Sequence, residues 1–205
     1  KEVDLELGPT KVQALDMCGD LIRAMIINGE NTVVTDPNRD HCEHALKSLD
    51  HFVVIDIFLT ETAKLADVVL PATAWAETDG VCANTERRVQ RLRKAVTPPG
   101  EAKPDWWIVS QIAQRMGLEG FTFNSAKEVF NELCGLSPIY AGLDWDRIEQ
   151  GEYLWPVPHK EHKGTPILHR GEFENGRGIF QLIEYRDPAE TISPEFPVWL
   201  TTGRR

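Results

Sequence analysis

Residues 52–94 read FVVIDIFLTETAKLADVVLPATAWAETDGVCANTERRVQRLRK, and their pattern decides the fold. Val53, Val54 and Ile55 form a β-branched run that ends in a carboxylate, Asp56. Val68, Val69 and Leu70 form a second run, opened by Asp67 and stopped by Pro71. Residues 60–66 between them are polar on one side and predict a helical turn. Continuous apolar runs of this length predict strands buried on both faces, as in a parallel sheet. Ligands of such sheets gather at the carboxyl ends of the strands, which puts Asp56 and Thr60 on the functional rim.

Toward the amino end, residues 21–27 (LIRAMII) predict a strand broken by Asn28-Gly29. Residues 9–18 predict a helix, with Val12, Leu15 and Met17 on one side and Gly19 as its stop. Residues 37–49 predict another, with Asp36 as cap, Pro37 in the first turn and Ala45, Leu46 and Leu49 as the apolar stripe. Strand, helix and strand in this order, with crossover-length connections, predict a right-handed βαβ unit. The fold class is therefore α/β, a Rossmann-like, mostly parallel sheet flanked by helices.

Beyond Pro71 the character changes. Glu77-Thr78-Asp79-Gly80 is a turn, and residues 82–90 are polar with only weak alternation. Pro98-Pro99-Gly100 is a hinge-like breaker that separates residues 1–98 from a mixed helical and loop-rich region, 99–197. Asp105 opens a helix whose apolar side is Trp106, Ile108, Val109, Ile112, Ala113 and Met116, stopped by Gly117. Residues 125–133 predict a helix with a capping box, Ser125 and Glu128. Residues 137–197 read as loops, and 178–184 and 198–201 are the strands expected near the end.

The chain has 205 residues, 41% of them hydrophobic, enough for one large or two small cores. A formal net charge of -10 argues against a general nucleic-acid partner, which needs a surplus of Lys and Arg. No apolar run approaches the ~20 residues that cross a bilayer, and the first residues hold no signal-peptide core. Cys18, Cys42, Cys82 and Cys134 are scattered without a C-x-x-C pair, which points to reduced thiols in a cytoplasmic protein.

Four sets of residues carry candidate chemistry. The turn Asn28-Gly29-Glu30-Asn31 follows a strand, and its backbone amides can approach a phosphate; an ordinary strand-to-helix turn explains the same residues. Asp56 and Asp105 can each accept paired N–H groups from a guanine edge, although an acid at position 105 also complements a helix dipole. Arg87, Arg88, Arg91, Arg93 and Lys94 are either a solvated face or a partner for pyrophosphate or an acidic neighbouring domain. His41 and His44 have a metal-compatible spacing but no evident third ligand, and a surface helix accounts for them.

Ala66-Asp67-Val68-Val69-Leu70-Pro71, Trp75-Ala76-Glu77, Asp79-Gly80, residues 84–90 (NTERRVQ) and residues 99–106 (PGEAKPDW) together resemble the molybdopterin oxidoreductases. Within them the pattern is most similar to the catalytic alpha subunits of formate dehydrogenases. Gly29-Glu30-Asn31, residues 56–60, Trp155-Pro156 and residues 200–204 fall in the family's order. Ile55, Asn28 and Cys82 depart from it, standing where a polar residue, a methionine and a threonine or aromatic are common.

The resemblance implies a bis(molybdopterin guanine dinucleotide) cofactor with molybdenum or tungsten, and a 4Fe–4S cluster upstream of this chain. Its metal ligand and catalytic histidine also lie upstream, so no catalytic or metal-ligating residue is expected here. It places Gly29, Glu30 and Asn31 against one dinucleotide and Asp56 and Asp105 on its guanine edge, with Thr60 and Thr78 nearby. Thr202, Gly203 and Arg204 approach the pterin or pyrophosphate, residues 198–205 being the start of a C-terminal capping domain. Formate, or another small substrate, and electron-transfer subunits are the implied partners. The segment alone is expected to be inactive and to dimerise through apolar surface normally covered, with or without cofactor. A nitrate reductase-like enzyme, a non-catalytic electron-transfer scaffold like the large iron–sulfur subunit of NADH:quinone oxidoreductase, and a guanine-nucleotide-binding regulatory module are the alternatives.

Overall fold

The computed structural model describes residues 11–36, 38–173, 175–185 and 191–200, apart from the side chains of residues 11–13. These residues divide into two compact units, one running to Pro166 and one from Ile167 onward.

The first unit is built on a three-stranded parallel sheet in the order β1 (Ala24–Asn28), β2 (His51–Asp56), β3 (Val68–Pro71). The central strand is the one whose β-branched run predicts burial on both faces, and residues 52–55 are all buried. α1 (Lys11–Asp16), α2 (Thr32–Thr35) and α3 (Arg39–Lys47) precede it in the chain. Leu15, Val33, Cys42, Ala45 and Leu46 pack with Phe52 and Val54 into one core. Burial of each large side chain there contributes about 1.5–3 kcal/mol. Alternate residues of β2 and β3 point the other way, where Ile55 and Ala72 meet Ile108 of α4 (Asp105–Arg115), with Leu70 and Ile112 beside them. The sheet thus lies between two helical layers.

A second layer follows in the same unit. β4 (Gly80–Ala83), β5 (Arg88–Leu92) and β6 (Tyr153–Leu154) form an antiparallel sheet. It packs with α5 (Ala126–Leu136) and α6 (Trp145–Gln150) around Val89, Phe130, Cys134, Leu143, Ile148 and Val157. Arg91 ties this layer together. Its guanidinium lies 3.4 Å from the Trp145 ring centroid, donates to the Gly80 and Leu92 carbonyls and pairs with Glu149 at 2.6 Å.

Several expectations change. Residues 82–90 are not an irregular polar stretch but most of a hairpin. Its alternation is weak because the side chains of Arg88 and Arg91 meet glutamates instead of apolar neighbours. α6 and β6 occur where loops were expected. Asn38, not Asp36, caps α3: its Oδ1 accepts from His41 N at 3.1 Å, while Asp36 closes α2. Ser125 accepts from Glu128 N as the capping box predicts, but Glu128 reaches back to Asn124 N, one residue earlier than the motif. Residues 178–184 and 198–200 are irregular, and residue 201 lies outside the described residues. A strand without a paired neighbour cannot satisfy its backbone, whatever its side chains prefer. The second unit has a single small bridge among its described residues, between Phe173 and Gly176.

Candidate functional site: a two-carboxylate cleft at the end of the parallel sheet

The carboxyl ends of β1 and β2 open into a cleft of ≈ 300 Å³ lined by Asn28, Gly29, Asn31, Asp56, Ile57, Phe58, Ala72, Thr73 and Asp105. The volume is at the lower end of the range for small-molecule pockets. Three local features build it.

The first wall is the turn after β1. Gly29 has φ 65° and donates its N–H to Ile55 O at 2.8 Å, closing the end of β1 onto β2. An L side chain is strained at this φ, and space beside Gly29 is open. The second wall is the loop after β2, where the Asp56 carboxylate accepts from Phe58 N at 3.0 Å. Phe58 itself is 72% exposed beside the carboxylate. The third is the amino end of α4. Ala72 donates to Asp56 O at 3.0 Å and Lys103 donates to Pro71 O at 3.1 Å, so residues 72 and 103 continue the ladder sideways and bring α4 over the sheet edge. Ile108 against Ile55 then fixes the helix.

That stitching sets Asp105 opposite Asp56. Partial burial, and then repulsion from Asp56, push the Asp105 carboxyl above the ordinary carboxylate range. No hydrogen-bond partner serves the Asp105 carboxylate among the described residues. Its place in the first turn of α4 favours negative charge, but the helix dipole does not cancel a second carboxylate. Two acceptors facing one cleft are able to accept from a group with several N–H donors.

The sequence candidates separate accordingly. Gly29, Asn31, Asp56 and Asp105 line this cleft together. Glu30 is exposed beside them. Thr60 turns its hydroxyl to Ala63 N at 3.1 Å, where it holds the 3-10 turn Ala63–Leu65. Thr78 lies apart, in a second cleft with Arg91, Lys94, Trp106 and the start of α5. Thr202, Gly203 and Arg204 lie outside the described residues. Phe58 and Thr73 are cleft residues the sequence reading did not single out; Phe58, an apolar residue two positions after the rim carboxylate, carried a signal. Ala72 and Thr73 did not.

The basic run resolves into internal contacts. Arg87, at φ 71°, donates to the carbonyls of Trp155 and Thr165. Arg88 pairs with Glu86 and Glu152, and Arg93 with Glu149. His41 pairs with Asp16 at 3.0 Å. No cluster of three or more metal-ligating side chains occurs among the described residues, and none of the four cysteines is in a disulfide.

Comparison with known proteins gives the geometry its context. The sequence model of the family described as "Molybdopterin oxidoreductase" matches residues 2–115, which include every residue of the cleft. The chain is 50% identical over 206 residues to the F420-dependent formate dehydrogenase 2 subunit alpha of Methanococcus maripaludis, covering 99% of this chain and 30% of that protein. It is 49% identical over 200 residues to the F420-dependent formate dehydrogenase subunit alpha of Methanocaldococcus jannaschii, covering 96% of this chain and 30% of that one. The chain thus spans under a third of the length of these relatives. The solved structure of acetylene hydratase from Pelobacter acetylenicus superposes with a TM-score of 0.57 at 25% identity, over 70% of this chain and 20% of that one.

Proposed function

Because this chain belongs to the molybdopterin oxidoreductase family, we propose that it is the segment that holds one guanine end of a bis(molybdopterin guanine dinucleotide) cofactor in an enzyme that oxidises formate to carbon dioxide. The observation that carries the proposal is the cleft itself. Its two carboxylates, one of them lifted in pKa by partial burial and then by the other, fit a ligand that brings N–H donors and relieves their repulsion. Guanine offers N1–H and N2–H side by side on one edge. Formate, in preference to another small substrate, rests on the two relatives near half identity, both formate dehydrogenase alpha subunits.

In this reading Asp56 and Asp105 bind the base edge, the Gly29–Glu30 turn lets the backbone approach the dinucleotide closely, and Phe58 covers the base from solvent. Asn31 holds the turn in place. Residues 202–204, with the capping domain that begins at 198–205, belong to the same proposal, as do electron-transfer subunits, a 4Fe–4S cluster upstream, and a cytoplasmic location, for which four cysteines outside any disulfide speak. The cofactor, with molybdenum or tungsten, supplies the two-electron chemistry when bound. The chain's own residues bind and orient.

The test is the whole protein purified and assayed for pterin, metal and dye-coupled formate oxidation, beside the 205-residue chain alone. Pterin, metal and formate turnover in the whole protein, and none of that turnover in the chain alone, are expected. A whole protein without pterin, or turnover by the chain alone, contradicts the proposal.

A further inference from the structure

Asn31 occupies the N-cap position of α2 but makes no cap with its own side chain. Its amide turns instead to the loop after β2. Nδ2 donates to Glu61 Oε2 at 2.7 Å, and Oδ1 accepts from Thr62 N at 3.1 Å and from Thr62 Oγ1 at 2.9 Å. Thr62 returns the contact: its Oγ1 accepts from Val33 N at 3.0 Å. The cap of α2 is thus supplied from another segment, and the residue that would ordinarily supply it has been spent on that segment. One hydroxyl serves both halves of the exchange, its proton on Asn31 and a lone pair on Val33. Water does not substitute for it, since Thr62 is 0% exposed and Val33 1%.

The two segments joined this way are two walls of the cleft. Gly29 and Asn31 belong to one, and Asp56, Ile57 and Phe58 to the other. The Gly29 N–Ile55 O bond fixes them at the floor, and the Asn31–Thr62 exchange fixes them further out. The two ties bracket the walls and restrict their spacing.

We propose that Thr62 is a positioning residue for the guanine cleft: it does not touch the ligand, but it sets the separation of the Gly29–Asn31 turn from the Asp56–Phe58 loop. This rests on the nucleotide reading above. A side chain of the same volume without the hydroxyl keeps the packing, leaves the Val33 N–H without its acceptor and frees the wall. Groups that fork onto a carboxylate need their geometry held to a fraction of an ångström, so a loosened wall weakens binding more than it weakens the fold.

The test compares Thr62→Val, Thr62→Ser and Leu46→Ala in the whole oxidoreductase, reading GMP released by acid per polypeptide beside the thermal midpoint. Leu46 is buried in the same core and does not line the cleft. Thr62→Val removes two buried hydrogen bonds, the one donated to Asn31 and the one accepted from Val33, and is expected to lower the GMP load about tenfold or more. Thr62→Ser is expected to restore it, and Leu46→Ala to lower the midpoint while keeping the load. If Thr62→Val does not fold, Thr62→Cys is compared with Thr62→Ser instead; the thiol is a weak donor and acceptor where the hydroxyl was a good one, and cysteine is expected to lower the load. A wild-type load in Thr62→Val, an equal loss in Leu46→Ala, or no rescue by serine overturns the positioning role alone. Wild-type protein that releases no GMP overturns the nucleotide reading, and the positioning role with it.

Discussion

Asp105, in the first turn of α4, faces Asp56, at the carboxyl end of β2, across a single cleft, and partial burial with the charge of Asp56 holds the Asp105 carboxyl above its ordinary range. The two residues are brought together by the ladder contacts of Ala72 and Lys103 and by Ile108 packed on Ile55. Repulsion of this kind is a cost to the fold that a bound donor group removes, as expected of a binding site.

Asp105→Asn is expected to raise the thermal midpoint of the chain at neutral pH. The sign follows from linkage. With its pKa raised by folding, Asp105 holds its proton to higher pH in the native than in the unfolded state, so its contribution to stability falls as pH rises through that window and stays unfavourable above it. The gain from asparagine should therefore shrink as pH is lowered below the ordinary carboxylate range. Thermal denaturation of both proteins between acid and neutral pH checks this. The same change should weaken guanine-nucleotide retention by the whole oxidoreductase, so that stability and binding move in opposite directions.

Arg91→Ala is expected to cost about 3 kcal/mol of stability, because it leaves the carbonyls of Gly80 and Leu92 and the carboxylate of Glu149 without their common partner and uncovers Trp145. Arg93 contacts the same Glu149 but is 60% exposed, and Arg93→Ala should stay within about 1 kcal/mol. Urea denaturation of the two variants separates a buried clamp from a surface pair that read identically in sequence.

Gly142→Ala is expected to destabilise the second layer by about 3 kcal/mol or more, since a Cβ there would overlap the backbone of His159 and the carbonyl of Val157. Gly29→Ala meets nothing and carries only the backbone cost of its left-handed φ, about 1 kcal/mol. Comparison of their thermal midpoints with that of the wild type distinguishes a glycine required by a close approach from one required by its conformation.

What the sequence made legible follows from how much each signal depends on distant partners. β2 was readable because a strand buried on both faces must be apolar throughout, and Val53, Val54 and Ile55 announce it. α4 was readable from its apolar stripe and its stop at Gly117, whose φ is 79°. β5 was not, because Val89 is its one fully buried side chain and the flanking arginines face partners some sixty residues later in the chain. α6 buries only Ile148 and is too short to show a period. Residues 178–184 show the opposite case: in GIFQLIE, Ile179, Phe180 and Ile183 favour a strand, yet Phe180 and Leu182 are almost fully exposed and no ladder forms. For the site, Asp56 followed from its place at a strand end. Its partnership with Asp105 did not, because a helix dipole accounted equally well for that carboxylate. The Asn31–Thr62 exchange was invisible, because neither residue type departs from what a turn allows.

The most direct measurement is the amount of GMP released by acid per polypeptide from the whole oxidoreductase carrying Asp56→Ala, compared with the wild type. The cleft loses one of its two carboxylates while the Gly29–Ile55 and Asn31–Thr62 ties remain. Removal of a bidentate, charge-assisted acceptor corresponds to roughly a tenfold or greater loss of retention. A marked fall in GMP, with the protein still folded, is the predicted result. A wild-type load in Asp56→Ala would contradict the assignment of this cleft to the guanine dinucleotide.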